Sequence, residues 1–171
     1  MAQARILNDF EAAARHSLSG KSRSPIWVRF SNPNQQGKSL SRGRVLLADD
    51  HEEFLAIEAR LLEPEFEVVM TARDGRAVLE EAARLAPDIL ILDISMPVLD
   101  GIQAARLLKT SGCQAKIIFM TVHGDQDYAQ AGLAAGALGY VVKSRLATDL
   151  LPALRAVLAG RSFVSPSISM A

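Results

Sequence analysis

The chain has 171 residues, 49% apolar and 22% charged, with a formal net charge of zero. That allows one domain with a real core plus an appendage, and it excludes a globally basic nucleic-acid binder and an acidic disordered chain. A single cysteine, Cys113, excludes an intramolecular disulfide and points to a reducing compartment; with no signal peptide or membrane-length apolar run to read, a cytoplasmic location is expected.

Charge is unevenly placed. Residues 1–43 hold seven Lys/Arg and two Asp/Glu, against twelve and seventeen in 44–171. A basic arm therefore precedes an acidic domain. Residues 19–43, SGKSRSPIWVRFSNPNQQGKSLSRG, have the Ser, Gly, Asn and Pro content of a linker. Upstream, ILNDFEAAARHSL reads either as a short helix capped by Asn8 or Asp9, or as part of a disordered tail. The IWVRF patch (26–30) is apolar enough to dock elsewhere.

From residue 44, strand and helix patterns alternate five times. RVLLA (44–48) has the continuous apolar character of a strand covered on both faces. HEEFLAIEARLLE follows as a helix with a stripe through Phe54, Ile57, position 58 and Leu61. FEVVM (66–70) carries a charge and fits a place near the sheet edge. DGRAVLEEAARLA follows, with Asp74 as N-cap and Val78, Leu79, Ala82, Ala83 and Leu85 near one face. DILIL (88–92) is the third strand, and a helix runs from about Gly101 to Leu108. AKIIFM (115–120) is the fourth strand, ahead of an Ala/Gly-rich helix near 125–135. YVV (140–142) is the fifth. TDLLPALRAVLAG closes the body, with Thr148 as candidate N-cap, Pro152 in the early turns and Gly160 at the C-terminal cap. Such a pattern predicts a parallel sheet with right-handed crossovers and helices on both faces. Chemistry in such sheets gathers at the carboxyl ends of the strands.

The polar residues at those ends are Asp49 and Asp50 after strand one, Asp93 after strand three, Thr121 after strand four and Lys143 after strand five. Each alone reads as a cap, a turn former or a solvated charge. Together they read as one cavity. Two like charges ~4 Å apart repel by roughly 4 kcal/mol at an effective dielectric of 20, so three carboxylates require protons or a cation. Carboxylate and carbonyl oxygens are hard ligands suited to Mg²⁺. One carboxylate can attack phosphorus to give an acyl phosphate. Lys143 and Thr121 can then bind the phosphoryl oxygens. Asp93, delivered by its strand into this cavity, is the candidate nucleophile.

These residues carry a resemblance. ADDHEEF (48–54), DILILDISMPVLDGI (88–102), MTVHG (120–124) and GALGYVVKS (136–144) make the body, about 44–160, similar to the receiver domain of two-component response regulators. The resemblance implies a flavodoxin-like, doubly wound (βα)5 fold with sheet order 2-1-3-4-5. It implies that Asp93 accepts phosphate from a sensor histidine kinase or a histidine phosphotransfer protein, with Mg²⁺ as cofactor. Asp49, Asp50, Asp93 and the main-chain carbonyl of Ser95 would hold the metal, Asp50 more directly than Asp49. Thr121 and Lys143 would contact the phosphoryl group. Tyr140 would be the aromatic that turns inward as Thr121 moves. Ser95 and His123 would border the hydrolytic water and tune the phosphoryl lifetime. The output would pass through the face built from the fourth helix, fifth strand and fifth helix, about 125–159, to a protein target or a homodimer. A receiver of this kind is a phosphoacceptor with slow autodephosphorylation, not a turnover enzyme.

Residues 161–171 resemble the start of the linker in the NarL/FixJ branch, which leads there to a LuxR-type helix-turn-helix domain. The sequence stops at Ala171, so DNA binding is not carried over; a single-domain regulator and a shortened transcriptional regulator both remain open. Ser144 stands where many receivers have proline, and residues 1–43 have no counterpart in the usual receiver. His16 and His51 are poorly spaced as metal ligands and read as solvated. Three rivals stand beside this reading. A haloacid-dehalogenase-type phosphatase needs a second aspartate two residues after the nucleophile, where this chain has Ser95. A nucleic-acid module would use the scattered arm residues Arg5, Arg15, Lys21, Arg23, Arg29, Lys38 and Arg42, with only Trp27 and Phe30 for stacking. A receiver-like scaffold would dimerise without phosphorylation.

Overall fold

The structure, a computed structural model, describes residues 42–122 and 124–168. The expected helix at 6–18, the basic arm to residue 41 and His123 lie outside the described residues.

The elements in chain order are β1 (Gly43–Ala48), α1 (Glu52–Leu62), β2 (Phe66–Ala72), α2 (Gly75–Leu85), β3 (Ile89–Asp93), α3 (Gly101–Thr110), β4 (Lys116–Thr121), α4 (Gln126–Ala134), β5 (Gly139–Val142), a 3₁₀ turn (Lys143–Arg145), α5 (Leu146–Leu158) and β6 (Phe163–Val164). They form one sheet of order β2-β1-β3-β4-β5-β6, parallel at every pairing. The first five strands have the expected flavodoxin-like order. The sixth strand was not expected: residues that read as linker add Phe163 beside Gly139 and Val164 beside Tyr140.

Strand alternation splits the core in two. Leu46, Ala48, Leu90, Leu92, Ile117 and Phe119 face α2, α3 and α4. Val45, Leu47, Ile89, Ile91, Ile118 and Met120 face α1 and α5. Central strands therefore need apolar residues at every position, and β3 is buried throughout. β2, with exposed Glu67 and Thr71, is an edge strand.

Two helices start as their sequences predict: Asp74 accepts from the Ala77 N–H at 2.9 Å, and Asp100 accepts from the Gln103 N–H at 2.7 Å. α5 does not. The 3₁₀ turn lets the Leu146 N–H reach the Lys143 carbonyl, so the helix starts three residues early without a side-chain cap. Thr148 instead donates to the Arg145 carbonyl at 3.0 Å. α1 is also rotated from expectation. Its buried stripe is Leu55, Glu58 and Leu62, while Ile57 is 47% exposed. Both stripes share the same spacing; the buried one contains a glutamate.

Strand order reverses at β1, which has β2 on one side and β3 on the other, and the strands' carboxyl ends line one edge. The candidate residues stand there.

Candidate functional site

Parallel pairing carries the candidate groups to one edge. β1 delivers Asp49, whose N–H donates to the Ala72 carbonyl on β2 at 3.1 Å. Arg73, just past β2, donates to the Asp50 carbonyl at 3.2 Å and to Glu52 at 2.8 Å, fixing the loop into α1. β3 ends on Asp93, and β4 ends on the wholly buried Thr121. β5 is followed by Lys143.

The loop after Asp93 is closed by glycine. The Gly101 N–H donates to the Ile94 carbonyl at 3.0 Å, and a β-carbon on Gly101 would lie 2.1 Å from the Asp93 carbonyl oxygen. Asp100 caps α3 while Gly101 admits the close approach, which explains the Asp-Gly pair. Between them the chain turns tightly, with Val98 in the left-handed region at φ 67°.

At the centre, the Lys143 ammonium lies 2.5 Å from Asp49 Oδ2 and 3.1 Å from Asp93 Oδ2. All three residues are buried. The ammonium also lies 4.4 Å from the centroid of the Phe54 ring on α1. Asp49, Asp50, His51 and Asp93 each offer a ligand atom, and all four atoms fall within 4.8 Å of one another. Burial pushes the Asp93 carboxyl above its ordinary value, against the pull of Lys143. Burial works against the Lys143 charge, yet Asp49 and Asp93 outweigh it and hold the amine above its ordinary value. Asp49 adds to the rise at Asp93, and with Asp50 in the same cluster three carboxylates gather about one ammonium.

That excess of negative charge fits a divalent cation. Among the described residues the buried Asp50 Oδ1 accepts no hydrogen bond of good geometry, though the His51 Nδ1 lies 2.7 Å from it, and the carboxylates are hard oxygen donors. Asp49, Asp50 and Asp93 are the side chains that would hold Mg²⁺, which when bound supplies charge to neutralise phosphoryl oxygens.

The remaining expected residues are placed as follows. Ser95 is exposed, and its N–H donates to the Asp93 carboxylate. Tyr140 is wholly buried, in the cluster shared by Phe119 and Val142, and burial raises its hydroxyl to about 12. α4 approaches this cluster through Gly132, where a β-carbon would lie 2.8 Å from the Phe119 ring.

Two further residues lie at the site beyond those the sequence singled out. His51 is largely exposed, but its Nδ1 lies 2.7 Å from Asp50 Oδ1 and 3.3 Å from Asp49 Oδ1, so it borders the pocket. Glu58 was missed as an acid. It is 1% exposed, and neither carboxylate oxygen has a hydrogen-bond partner among the described residues. Burial, then the nearby Asp49 charge, raises it to about 8, so at neutral pH it is mostly protonated. The signal was present: position 58 lies on the stripe of Leu55 and Leu62.

Residues 45–155 match the family model described as the response regulator receiver domain. The chain is a response regulator receiver. This receiver is similar to the transcriptional regulatory protein DegU of Brevibacillus brevis, at 33% identity over 74% of this chain and 54% of the relative. The chain spans a little over half the length of the curated relatives it matches. Among solved structures, a LuxR-family two-component response regulator from Aurantimonas sp. superposes with a TM-score of 0.72 at 35% identity, covering 75% of this chain and 93% of that one. The isolated receiver domain of RcsB from Salmonella enterica serovar Typhimurium, solved with phosphomimetic beryllofluoride, gives 0.69 at 30% identity, covering 75% and 96%. No helix among the described residues is long and apolar enough to cross a membrane.

Proposed function

We infer that this receiver works as a phosphorylation switch with Asp93 as acceptor. A carboxylate oxygen of Asp93 attacks the phosphorus of a kinase or phosphotransfer-protein phosphohistidine. The P–N bond breaks, the imidazole leaves and takes up a proton, and an acyl phosphate remains on Asp93. Asp49, Asp50, Asp93 and the Ser95 carbonyl would hold Mg²⁺, which would supply positive charge to the phosphoryl oxygens. The Lys143 ammonium and the Thr121 hydroxyl bind phosphoryl oxygens, and Ser95 and His123 set how fast water returns Asp93 to the free acid. The observation that carries this reading is the buried Asp93 held 3.1 Å from Lys143 within a cluster of carboxylates.

The output we propose is protein contact, including homodimerisation, through α4, β5 and α5. Its support is local: Tyr140, on β5, packs with Phe119 of β4 against Gly132 of α4, while Tyr128 on α4 is exposed. Several relatives are named as transcriptional regulators, so we also propose that a longer protein with this receiver would act on transcription.

Site mapping tests the acceptor. After phosphorylation with acetyl phosphate and Mg²⁺, borohydride should reduce the acyl phosphate and convert Asp93 alone to homoserine in the peptide map. Conversion at Asp49 or Asp50 instead would overturn the assignment.

A further inference from the structure

The turn that roots Lys143 is enclosed by a ring of hydrogen bonds that includes one residue outside the five β-α units, Ser165. Before the turn, the Val142 N–H donates to the Ser165 hydroxyl at 3.1 Å. After it, Arg145 donates to Asp149 through Nε at 2.9 Å and Nη2 at 3.2 Å. The two sides meet, because the Ser165 hydroxyl donates to Asp149 Oδ2 at 2.8 Å. The Thr148 hydroxyl shares its one proton between the Arg145 carbonyl and Asp149 Oδ1, the latter at 2.8 Å. Ser165 and Asp149 are both buried.

The same segment grips the rest of β5. The Phe163 N–H donates to the Leu138 carbonyl and the Ser165 N–H to the Tyr140 carbonyl, each at 2.9 Å. Val164 and Ile168 pack in the cluster that holds Tyr140. β6 is only two residues long, so the Ser165 side chain continues the ladder where the backbone leaves it.

The geometry points to an energetic link between the docking of residues 163–168 on β5 and the filling of the acidic pocket, with Ser165 as the joint. The inference rests on the switch reading above and adds the route by which the pocket is sensed elsewhere. Its direction follows from Lys143. The ring of bonds closes around the turn while the ammonium sits on Asp49 and Asp93. A phosphoryl group on Asp93 draws that ammonium off Asp49, which displaces the turn and works against the ring. Filling the pocket therefore loosens residues 163–168. Because coupling free energy is reciprocal, loosening the segment favours filling by the same factor. Ser165 and Asp149 are positioning residues here, acting on the pocket through the backbone of Lys143.

Amide hydrogen exchange on the full chain, with and without Mg²⁺ and beryllofluoride, tests the link. Slower exchange in residues 94–100 reports filling. Faster exchange in 163–168, by about fivefold at the low end of usual coupling energies, is the expected companion. Ser165→Ala should lower the half-saturating beryllofluoride concentration by a similar factor. A purely structural role would lower the melting temperature and leave that concentration unchanged. A filled pocket with unaltered exchange in 163–168 overturns the link and leaves the switch reading standing. Failure of beryllofluoride to bind the wild-type chain overturns both.

Discussion

Gly101 and the backbone of Asp93 stand so close that a β-carbon on Gly101 would lie 2.1 Å from the Asp93 carbonyl oxygen. The contact ties the start of α3 to the residue at the centre of the pocket. Gly101→Ala must push the loop from Ile94 to Asp100 outward, at a cost of about 1–3 kcal/mol typical of overpacking. It should also weaken Mg²⁺ binding, since Asp93 moves with its backbone. Gly124→Ala, with nothing within 4 Å, is the control and should change stability by less than about 0.5 kcal/mol. Denaturant melts and Mg²⁺ titration of both variants check this; equal behaviour would show that the approach does not constrain the pocket.

Glu58 gives a stability profile with a definite sign. Its folded pKa, about 8, lies above the ordinary 4.5. Below pH 4.5 both folded and unfolded chains carry the proton and nothing is lost. As pH rises, the unfolded chain releases it first, and stability falls by up to about 1.4 kcal/mol per pH unit. The loss is complete once pH passes 8, and reaches roughly 3 kcal/mol at pH 7. Glu58→Gln removes this dependence, so its stability relative to wild type should grow from pH 5 to 8 and then level off. Parallel profiles would mean that Glu58 ionises normally.

Lys143 and a divalent cation answer the same excess of negative charge. Lys143→Met leaves Asp49 and Asp93 buried without their ammonium, which costs about 3–5 kcal/mol when one partner of a buried pair is removed. Added Mg²⁺ stabilises the folded form that binds it. The variant should therefore melt well below wild type in chelator, and the gap should narrow as millimolar Mg²⁺ is added. A gap insensitive to Mg²⁺ would contradict a shared site.

The sheet and the residues at its edge were legible because central strands demand apolar residues on both faces, so a charged side chain ending such a run stands out. Asp49, Asp93 and Lys143 were found that way. Glu58 was not, because hydrophobic periodicity discounts a charged residue. The expected stripe, Phe54, Ile57 and Leu61 with position 58, has the same spacing as the buried one, so periodicity alone did not choose between the two faces. The start of α5 was misplaced for a related reason: Thr148 has cap chemistry, but a 3₁₀ turn supplied the first bonds from the backbone. β6 was missed because two residues, Phe163 and Val164, are too few to show a period of two. His51 was read from sequence spacing, whereas folding sets it against Asp50.

The most direct test of the central claim is intact-mass analysis after incubation with acetyl phosphate. The account predicts a gain of one phosphoryl group that requires Mg²⁺ and disappears in Asp93→Asn. A gain that persists in Asp93→Asn, or no gain with acetyl phosphate and none with phosphorylated histidine kinases, in a folded chain that binds Mg²⁺, would contradict it.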